Sequence, residues 1–200
     1  MNYSVVIPVF KRSEIIKNCL LSIENQSQLP LEVILVDNNT EIKETEKLNL
    51  LISEFKKNTC LRIVLLKSYK NSSSIARNIG AKKARSDLIA FLDSDVILNP
   101  DYYEIILKYF RNDTNLIAAQ GLDISMLDAH EKSKNLSLKL KFLHFFEQIF
   151  QTSTLLNRNG AYVSPSLAVA HPRVDSDFEV DSQWISTCAG VFKRYLFDKY

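Results

Sequence analysis

Short apolar runs alternate with longer amphipathic segments along this chain of 200 residues, and this alternation constrains its fold most strongly. The runs are rich in β-branched residues and have the length of strands, whereas the segments between them carry apolar residues at helical spacing. Strands are predicted at residues 3–10, 31–39, 61–66, 87–93 and 115–121. Because such alternation requires crossover connections, the predicted fold is α/β, with a mostly parallel sheet flanked by helices.

Two helices have sequence features that can be checked directly. Ser13 precedes the apolar residues of the first helix and is predicted to be its N-cap. The third helix, at residues 73–84, carries Ala76, Gly80 and Ala84 at a spacing of four. Small residues on one face allow a helix to approach a sheet closely, so this face is predicted to pack on the strands.

Charge and cysteine content limit the partners and the compartment. The formal net charge is +2, which gives no clearly basic face, so no nucleic-acid partner is predicted. Three scattered cysteines match neither a zinc site nor a redox pair and suit a reducing compartment. The sequence shows no signal peptide at its start and no apolar run of about 20 residues, so a cytoplasmic protein is predicted.

Two carboxylates, Asp93 and Asp95, follow the fourth predicted strand. Ligands of open parallel sheets bind beyond the carboxyl ends of the strands, where these acids lie. Two close carboxylates repel each other unless a positive group neutralises them or one of them holds a proton. A hard divalent cation is their natural partner. Mg²⁺ takes only one or two protein carboxylates and completes its shell with water and phosphate oxygens, which predicts a phosphorylated substrate. The alternative is an Asx-turn with a helix cap ahead of Pro100, and the pair alone does not separate the two.

Asp37 and Arg77 each allow two interpretations. Asp37 ends the second predicted strand, where it either belongs to the site or caps the following turn. Arg77 lies in the first turns of a helix, where a cation opposes the helix dipole unless an acid or a phosphate stands opposite. It is otherwise an ordinary surface arginine. The serines at 72–74 either cap this helix or offer N–H groups to an anion.

Four pieces of sequence carry a resemblance to a known family: "VVIPVFKR", "EVILVDNN", "NSSSIARNIGAKKA" and "FLDSDVILNPDYYE". Together, in this order and spacing, they resemble the nucleotide-sugar half of the family-2 glycosyltransferases, which are inverting enzymes with the GT-A fold. The resemblance covers residues 3–104 and returns in "DSQWISTCAGVFKRYLF" at 181–197. It implies residues 1–125 as the nucleotide-sugar-binding half and 126–200 as an incomplete acceptor-side half.

The resemblance also implies roles for single residues. Pro8 and Val9 would form the loop under the nucleotide base, Asp37 would hydrogen-bond the base, typically uracil, and Arg77 would lie beside the base and the acidic groups. Lys11 stands where the family often has asparagine.

For the two acids, the resemblance implies that Asp95 is the main ligand of Mn²⁺ or Mg²⁺ and that Asp93 lies near the ribose and the metal. The catalytic base would come from a later acidic pair, expected beyond Tyr200, so the chain looks like a fragment.

The apolar stretch 136–150 is either a core helix or a contact with a membrane surface, where lipid-linked acceptors reside.

The implied function is transfer of a sugar, with inversion, from a nucleotide-diphospho-sugar such as a UDP-sugar to a glycan or lipid-linked acceptor. The expected setting is bacterial cell-surface polysaccharide synthesis at the inner face of the cytoplasmic membrane. Two alternatives remain. "AFLDSDVIL" also resembles the nucleophile strand of haloacid-dehalogenase phosphatases, with Asp93 as nucleophile, although that family usually places this motif on its first strand. The chain could also be a non-catalytic, truncated nucleotide-sugar-binding module.

Overall fold

The computed structural model describes residues 1–121, 162–163, 169–170 and 187–198. The chain divides into two compact units, one made of residues 1–121 and 186–200 and the other of residues 122–185. In the second unit, strands β6 (Tyr162–Val163) and β7 (Val169–Ala170) pair antiparallel. The stretch 136–150, for which a core helix and a membrane contact were considered, lies outside the described residues.

The first unit alternates strands and helices along the chain. Its strands are β1 (Tyr3–Val9), β2 (Glu32–Asp37), β3 (Ile63–Lys67), β4 (Leu88–Phe91), β5 (Ala118–Ala119) and β8 (Val191–Lys193). Its helices are α1 (Ile16–Glu24), α2 (Ile42–Phe55), α3 (Ser73–Lys83) and α4 (Tyr102–Asn112), followed by a 3-10 helix at Arg194–Phe197. No helix in the described part of the chain is both long enough and apolar enough to span a bilayer.

The strands of this unit form a six-stranded sheet in the order β3-β2-β1-β4-β8-β5. The first four strands of that order run parallel, whereas β8 pairs antiparallel with both β4 and β5. The predicted mostly parallel sheet is therefore confirmed. The predicted fifth strand is present in shortened form as β5, and the three-residue strand β8 was not predicted.

Side chains of the central strands alternate between two buried faces. Val5 and Ile7 of β1 belong to a core that also contains residues of α1, α2 and α4. Val6 belongs to a smaller core formed with α3 on the opposite face. Burial on both faces explains why these strands are almost continuously apolar in sequence.

The prediction that Ser13 caps the first helix is wrong. Helix α1 begins at Ile16, and its N-cap residue, Ile15, makes no side-chain capping bond. The backbone N–H groups of Ile15 and Ile16 donate instead to the carbonyl oxygen of Arg12, each at 3.2 Å. The Ser13 hydroxyl donates to Glu44 on α2, so a tertiary contact replaces the predicted local bond.

The small-residue face of α3 packs on the sheet, as predicted. Ala76 and Ala84 are buried, and Gly80 lies directly above β1 and β2. A Cβ atom at Gly80 would overlap Val6 Cγ1 and stand 3.3 Å from Val36 Cγ2. This close approach fixes the height of α3 above β1 and β2.

Replacing Gly80 with alanine should destabilise the first unit. The added methyl group has no space against a stiff β-branched side chain, and overpacking of this kind typically costs about 1–3 kcal/mol. Urea unfolding followed by circular dichroism measures the change. Lys82→Ala, on the exposed face of the same helix, should stay within about 0.5 kcal/mol of wild type. Equal destabilisation by both variants would contradict close packing at Gly80.

Candidate functional site

The carboxyl ends of β2, β1 and β4 form one edge of the sheet, and the predicted site residues lie along it. Asp37 ends β2, and Asp93 follows β4 by two residues. Pro8 and Val9 end β1 between them, with Val9 in register with Asp37. Asp37 and Asp93 are thus two strands apart, or about 10 Å at the usual strand spacing.

Four donors converge on the buried carboxylate of Asp37. Its Oδ1 accepts from the backbone N–H of Asn39 at 2.9 Å and from the Asn39 side-chain amide at 2.8 Å. Its Oδ2 accepts from the Thr45 hydroxyl at 2.8 Å and from the Lys67 ammonium at 2.7 Å. A carboxylate offers about four acceptor positions, so all of them are used within the protein. Base recognition by Asp37 stays a prediction, and it requires a base N–H to replace one of these donors.

The same contacts set the pKa of Asp37. Burial alone would raise the pKa of this carboxyl group. The hydrogen bonds from Lys67, the Asn39 backbone and Thr45, together with the charge of Lys67, outweigh burial and hold the pKa below its usual value of 3.8. Asp37 is therefore a stabilised anion rather than a poised proton acceptor.

Asn38 and Asn39 connect two further loops to the end of β2. The side-chain Oδ1 of Asn38 accepts from the backbone N–H of Ser72 at 3.2 Å, at the start of α3. The side-chain Oδ1 of Asn39 accepts from the backbone N–H of Lys11 at 2.6 Å, in the loop after β1. Sequence reasoning singled out Asp37 alone. Asn38 and Asn39 could have been selected as well, because they are two further polar residues directly after a buried strand. Both side chains are buried in the structure.

Lys11 adopts a left-handed backbone conformation, with φ of 50°. This region costs about 1–2 kcal/mol for a residue with a Cβ atom. The bond to Asn39 and an ion pair of 2.8 Å between Lys11 Nζ and Glu41 hold the turn in place. Asparagine tolerates this region better than lysine does, which gives a physical reason for the asparagine often found here in the family that the sequence resembles.

The Arg77 guanidinium faces Asp93 at 2.6 Å, so an acid stands opposite this arginine. Ser72 caps α3 by accepting from the backbone N–H of Ile75 at 3.4 Å, which is the first of the two interpretations given for the serines at 72–74. Arg77 Nε is buried and has no hydrogen-bond partner among the described residues. A buried donor of this kind is costly unless a further group, such as a ligand oxygen, accepts from it.

Asp95 forms an ion pair with Arg12, a residue that the sequence reasoning did not select. Both side chains are close to half exposed, at 43% for Asp95 and 46% for Arg12. The only signal in the sequence was a basic pair, Lys11 and Arg12, directly after the first strand. Asp93 is anchored more firmly, because its backbone N–H donates to the Cys188 carbonyl oxygen at 2.9 Å.

The acids fit a hard divalent cation such as Mg²⁺ or Mn²⁺. Asp93 uses Oδ1 for Arg77, and Asp95 uses Oδ2 for Arg12, so each carboxylate has a second oxygen with no partner given by the described residues. No group of three or more His, Cys, Asp or Glu side chains in the described part of the chain could hold a metal. Among the described residues, a cation here would have Asp93 and Asp95 as ligands, and water and phosphate oxygens could fill further positions.

Asp37→Asn should destabilise the fold in a pH-dependent way. At pH 7 the variant loses the ion pair with Lys67, and we expect a cost of about 1–3 kcal/mol. Because the folded-state pKa of Asp37 is lowered, its contribution is complete above the usual value of 3.8 and is lost as the pH falls through the folded-state pKa. Urea unfolding at pH 7 and at pH 3 measures the free energy of unfolding of both proteins. The difference between wild type and variant should be smaller at pH 3 than at pH 7.

Asp87→Asn is the matched control for this experiment. Asp87 is exposed and precedes β4 at the opposite end of that strand. The same chemical change there should leave stability within about 0.5 kcal/mol of wild type at pH 7. A gap for Asp37→Asn that stays constant down to pH 3 would contradict the stabilised-anion interpretation.

Comparison with known proteins identifies the family. The family model "Glycosyl transferase family 2" matches residues 4–164. An uncharacterized glycosyltransferase of Haemophilus influenzae is 35% identical over 107 residues, covering 53% of this chain and 41% of the relative. A hyaluronan synthase of Pasteurella multocida is 27% identical over 139 residues, covering 68% of this chain and 14% of the relative. The chain thus spans less than half the length of either.

Among solved structures, a mannosyltransferase of Pyrobaculum calidifontis, in complex with GDP-Man and Mn²⁺, aligns with a TM-score of 0.53 at 18% identity. The alignment covers 61% of this chain and 35% of that one. This likeness shows a shared fold, and none of these matches supports the phosphatase alternative for Asp93. The chain belongs to glycosyl transferase family 2 and has the GT-A fold, as its sequence pieces predicted.

Proposed function

We propose that this chain carries the donor site of an inverting glycosyltransferase, which moves a sugar from a nucleotide-diphospho-sugar to an acceptor hydroxyl. The observation that carries the proposal is the group Arg77, Asp93 and Asp95 beyond the end of β4. It combines an acid pair suited to a cation with a buried Arg77 N–H group that has no partner among the described residues. Nucleotide phosphates offer acceptor oxygens to such an arginine and ligand oxygens to such a cation.

We place the donor nucleotide along this edge of the sheet. The base would lie over Pro8 and Val9, beside Asp37, and the ribose and diphosphate would extend across β1 toward Asp93. The strand spacing gives this path about 10 Å from Asp37 to Asp93. Uracil is the proposed base, because a uridine nucleotide is what the family resemblance implies for Asp37.

Asp95 and Asp93 would hold the divalent cation through their carboxylate oxygens. Such a cation supplies positive charge that stabilises the leaving nucleoside diphosphate. Arg77 orients Asp93 and adds a fixed positive charge beside the same phosphates. A carboxylate from the later acidic pair of the family pattern would accept the proton of the acceptor hydroxyl as it attacks the anomeric carbon from the opposite face.

The proposed acceptor is a glycan, either free or lipid-linked, in the synthesis of a bacterial surface polysaccharide. The relative named hyaluronan synthase supports a polysaccharide product. Nucleotide-sugars are cytoplasmic metabolites, so the proposed location is the cytoplasm, with peripheral contact at the inner face of the membrane where a lipid-linked acceptor is used.

Asp95→Ala should remove most of the Mn²⁺-dependent affinity for a nucleoside diphosphate. We expect a loss of at least about tenfold, because even residues that only support a metal ligand are worth that much. Isothermal titration calorimetry with UDP and GDP, each with Mn²⁺ and with EDTA, measures the effect. Asp87→Ala, which removes an exposed aspartate from the opposite end of β4, should bind as wild type does. Equal Mn²⁺-dependent affinity in Asp95→Ala and wild type would refute the metal assignment.

Failure of the folded wild-type chain to bind UDP or GDP with Mn²⁺ would refute the donor site as a whole. Where transfer is observed, the anomeric configuration of the product, read by NMR, tests inversion.

A further inference from the structure

Arg12 contacts a predicted metal ligand through its side chain, and the proposed function gives it no role. Its guanidinium forms an ion pair with Asp95, the main predicted ligand of the cation. The other arginine of the site, Arg77, has a side chain that is only 16% exposed, whereas the Arg12 side chain is 46% exposed. The two arginines therefore differ in how freely they can leave their carboxylates.

The backbone of Arg12 is fixed although its side chain is exposed. Its carbonyl oxygen accepts from the N–H groups of Ile15 and Ile16, which ties it to the start of α1. The preceding residue, Lys11, is in the left-handed turn held by Asn39. A strained conformation kept by several bonds marks a position that the surrounding structure determines closely. The backbone of Arg12 is thus held in place by hydrogen bonds, while its exposed side chain reaches the acid pair.

The charges of the site balance without a cation. Arg12 and Arg77 carry two positive charges, and Asp93 and Asp95 carry two negative charges. A divalent cation on the acid pair would leave the site with a surplus of two positive charges, which matches the two negative charges of the diphosphate in a nucleotide-diphospho-sugar. An exposed ion pair shifts an equilibrium constant by only about two- to fivefold, so Arg12 can be displaced from Asp95 at little cost.

We propose that Arg12 is an exchangeable counter-ion. In the cation-free protein it neutralises Asp95; when Asp95 takes a divalent cation, the Arg12 guanidinium turns to the diphosphate of the donor. This inference rests on the proposed function. The guanidinium has five N–H donors in a planar fork, which suits phosphate oxygens as well as it suits a carboxylate. Arg12 is therefore a binding residue for the donor, not a ligand of the cation.

The first test measures Mn²⁺ binding in the absence of nucleotide, by electron paramagnetic resonance of the free ion. Arg12→Gln should bind Mn²⁺ about two- to fivefold more tightly than wild type, because a competing cation has been removed. The increase should disappear in an Asp95→Asn background, where Arg12 has no carboxylate to neutralise. Unfolding midpoints of all variants establish that they are folded.

The second test measures UDP and GDP at saturating Mn²⁺ by calorimetry. Arg12→Gln should bind the diphosphates about five- to tenfold more weakly than wild type, because charge-assisted bonds to phosphate are lost. Uridine, which has no phosphate, should bind equally to both proteins. Arg12→Lys keeps the charge without the fork and should recover part of the loss. A residue that merely supported the fold would shift all ligands in the same direction, whereas Arg12 should strengthen Mn²⁺ binding and weaken diphosphate binding.

Arg111→Gln is the matched control, with the same change of charge. Arg111 is exposed and donates to Gln28 at 2.8 Å, and the Gln28 backbone carbonyl accepts from Tyr3 at the amino end of β1, away from the site. Arg111→Gln should leave the affinity for Mn²⁺ and the affinity for the diphosphates unchanged. Suppose that wild type binds a diphosphate with Mn²⁺, but that Arg12→Gln equals wild type in its affinity for Mn²⁺ or in its affinity for the diphosphate. The exchange of Arg12 between Asp95 and the diphosphate is then refuted, while the proposed donor site stands. If wild type binds neither diphosphate, the proposed function fails, and this inference fails with it.

Discussion

The carboxylate of Asp37 joins three separate parts of the chain, and the edge of the sheet that carries the candidate site depends on it. Through Lys67 it fixes the end of β3, through Thr45 the first turn of α2, and through Asn39 the turn that follows β2. Asn38 and Asn39 continue the same network into the loops before α3 and after β1. A buried charge is tolerable only when it is fully hydrogen-bonded, and Asp37 meets that condition without any ligand. Contacts within the protein therefore connect the loops of the candidate site to one another.

The two ion pairs of the acidic turn differ in kind. The Arg77 side chain is only 16% exposed, and its partner Asp93 is bound through its backbone to Cys188. The pair of Arg12 and Asp95 is exposed to solvent on both sides. One pair therefore belongs to the permanent framework, and the other can change partners at low cost. The proposed exchange of Arg12 therefore requires no change in the packing of the sheet.

Sequence alone predicted the parallel strands because strands that are buried on both faces consist almost entirely of apolar residues. It also predicted α3 from its small-residue face, and the acids at the strand ends from the architecture. It failed where an outcome depends on partners distant in sequence. Ser13 has the chemistry of a cap, yet it bonds to Glu44. Arg12 has no local feature that reveals Asp95 as its partner. Strand β8, only three residues long, is defined by the strands on either side of it and has no periodicity of its own to detect.

The position of β8 between β4 and β5 has a consequence for how the protein is made. On a ribosome, β1 to β4 can pair as soon as they emerge, but one edge of β4 stays open until Val191–Lys193 has been synthesised. At ordinary rates of translation this delay is about 5–20 s. An open apolar strand edge is a template for unwanted pairing between chains, so nascent chains are most vulnerable to aggregation during this interval. Because the Asp93 N–H bonds to Cys188, beside that late strand, the acidic turn reaches its final geometry only when the interval ends.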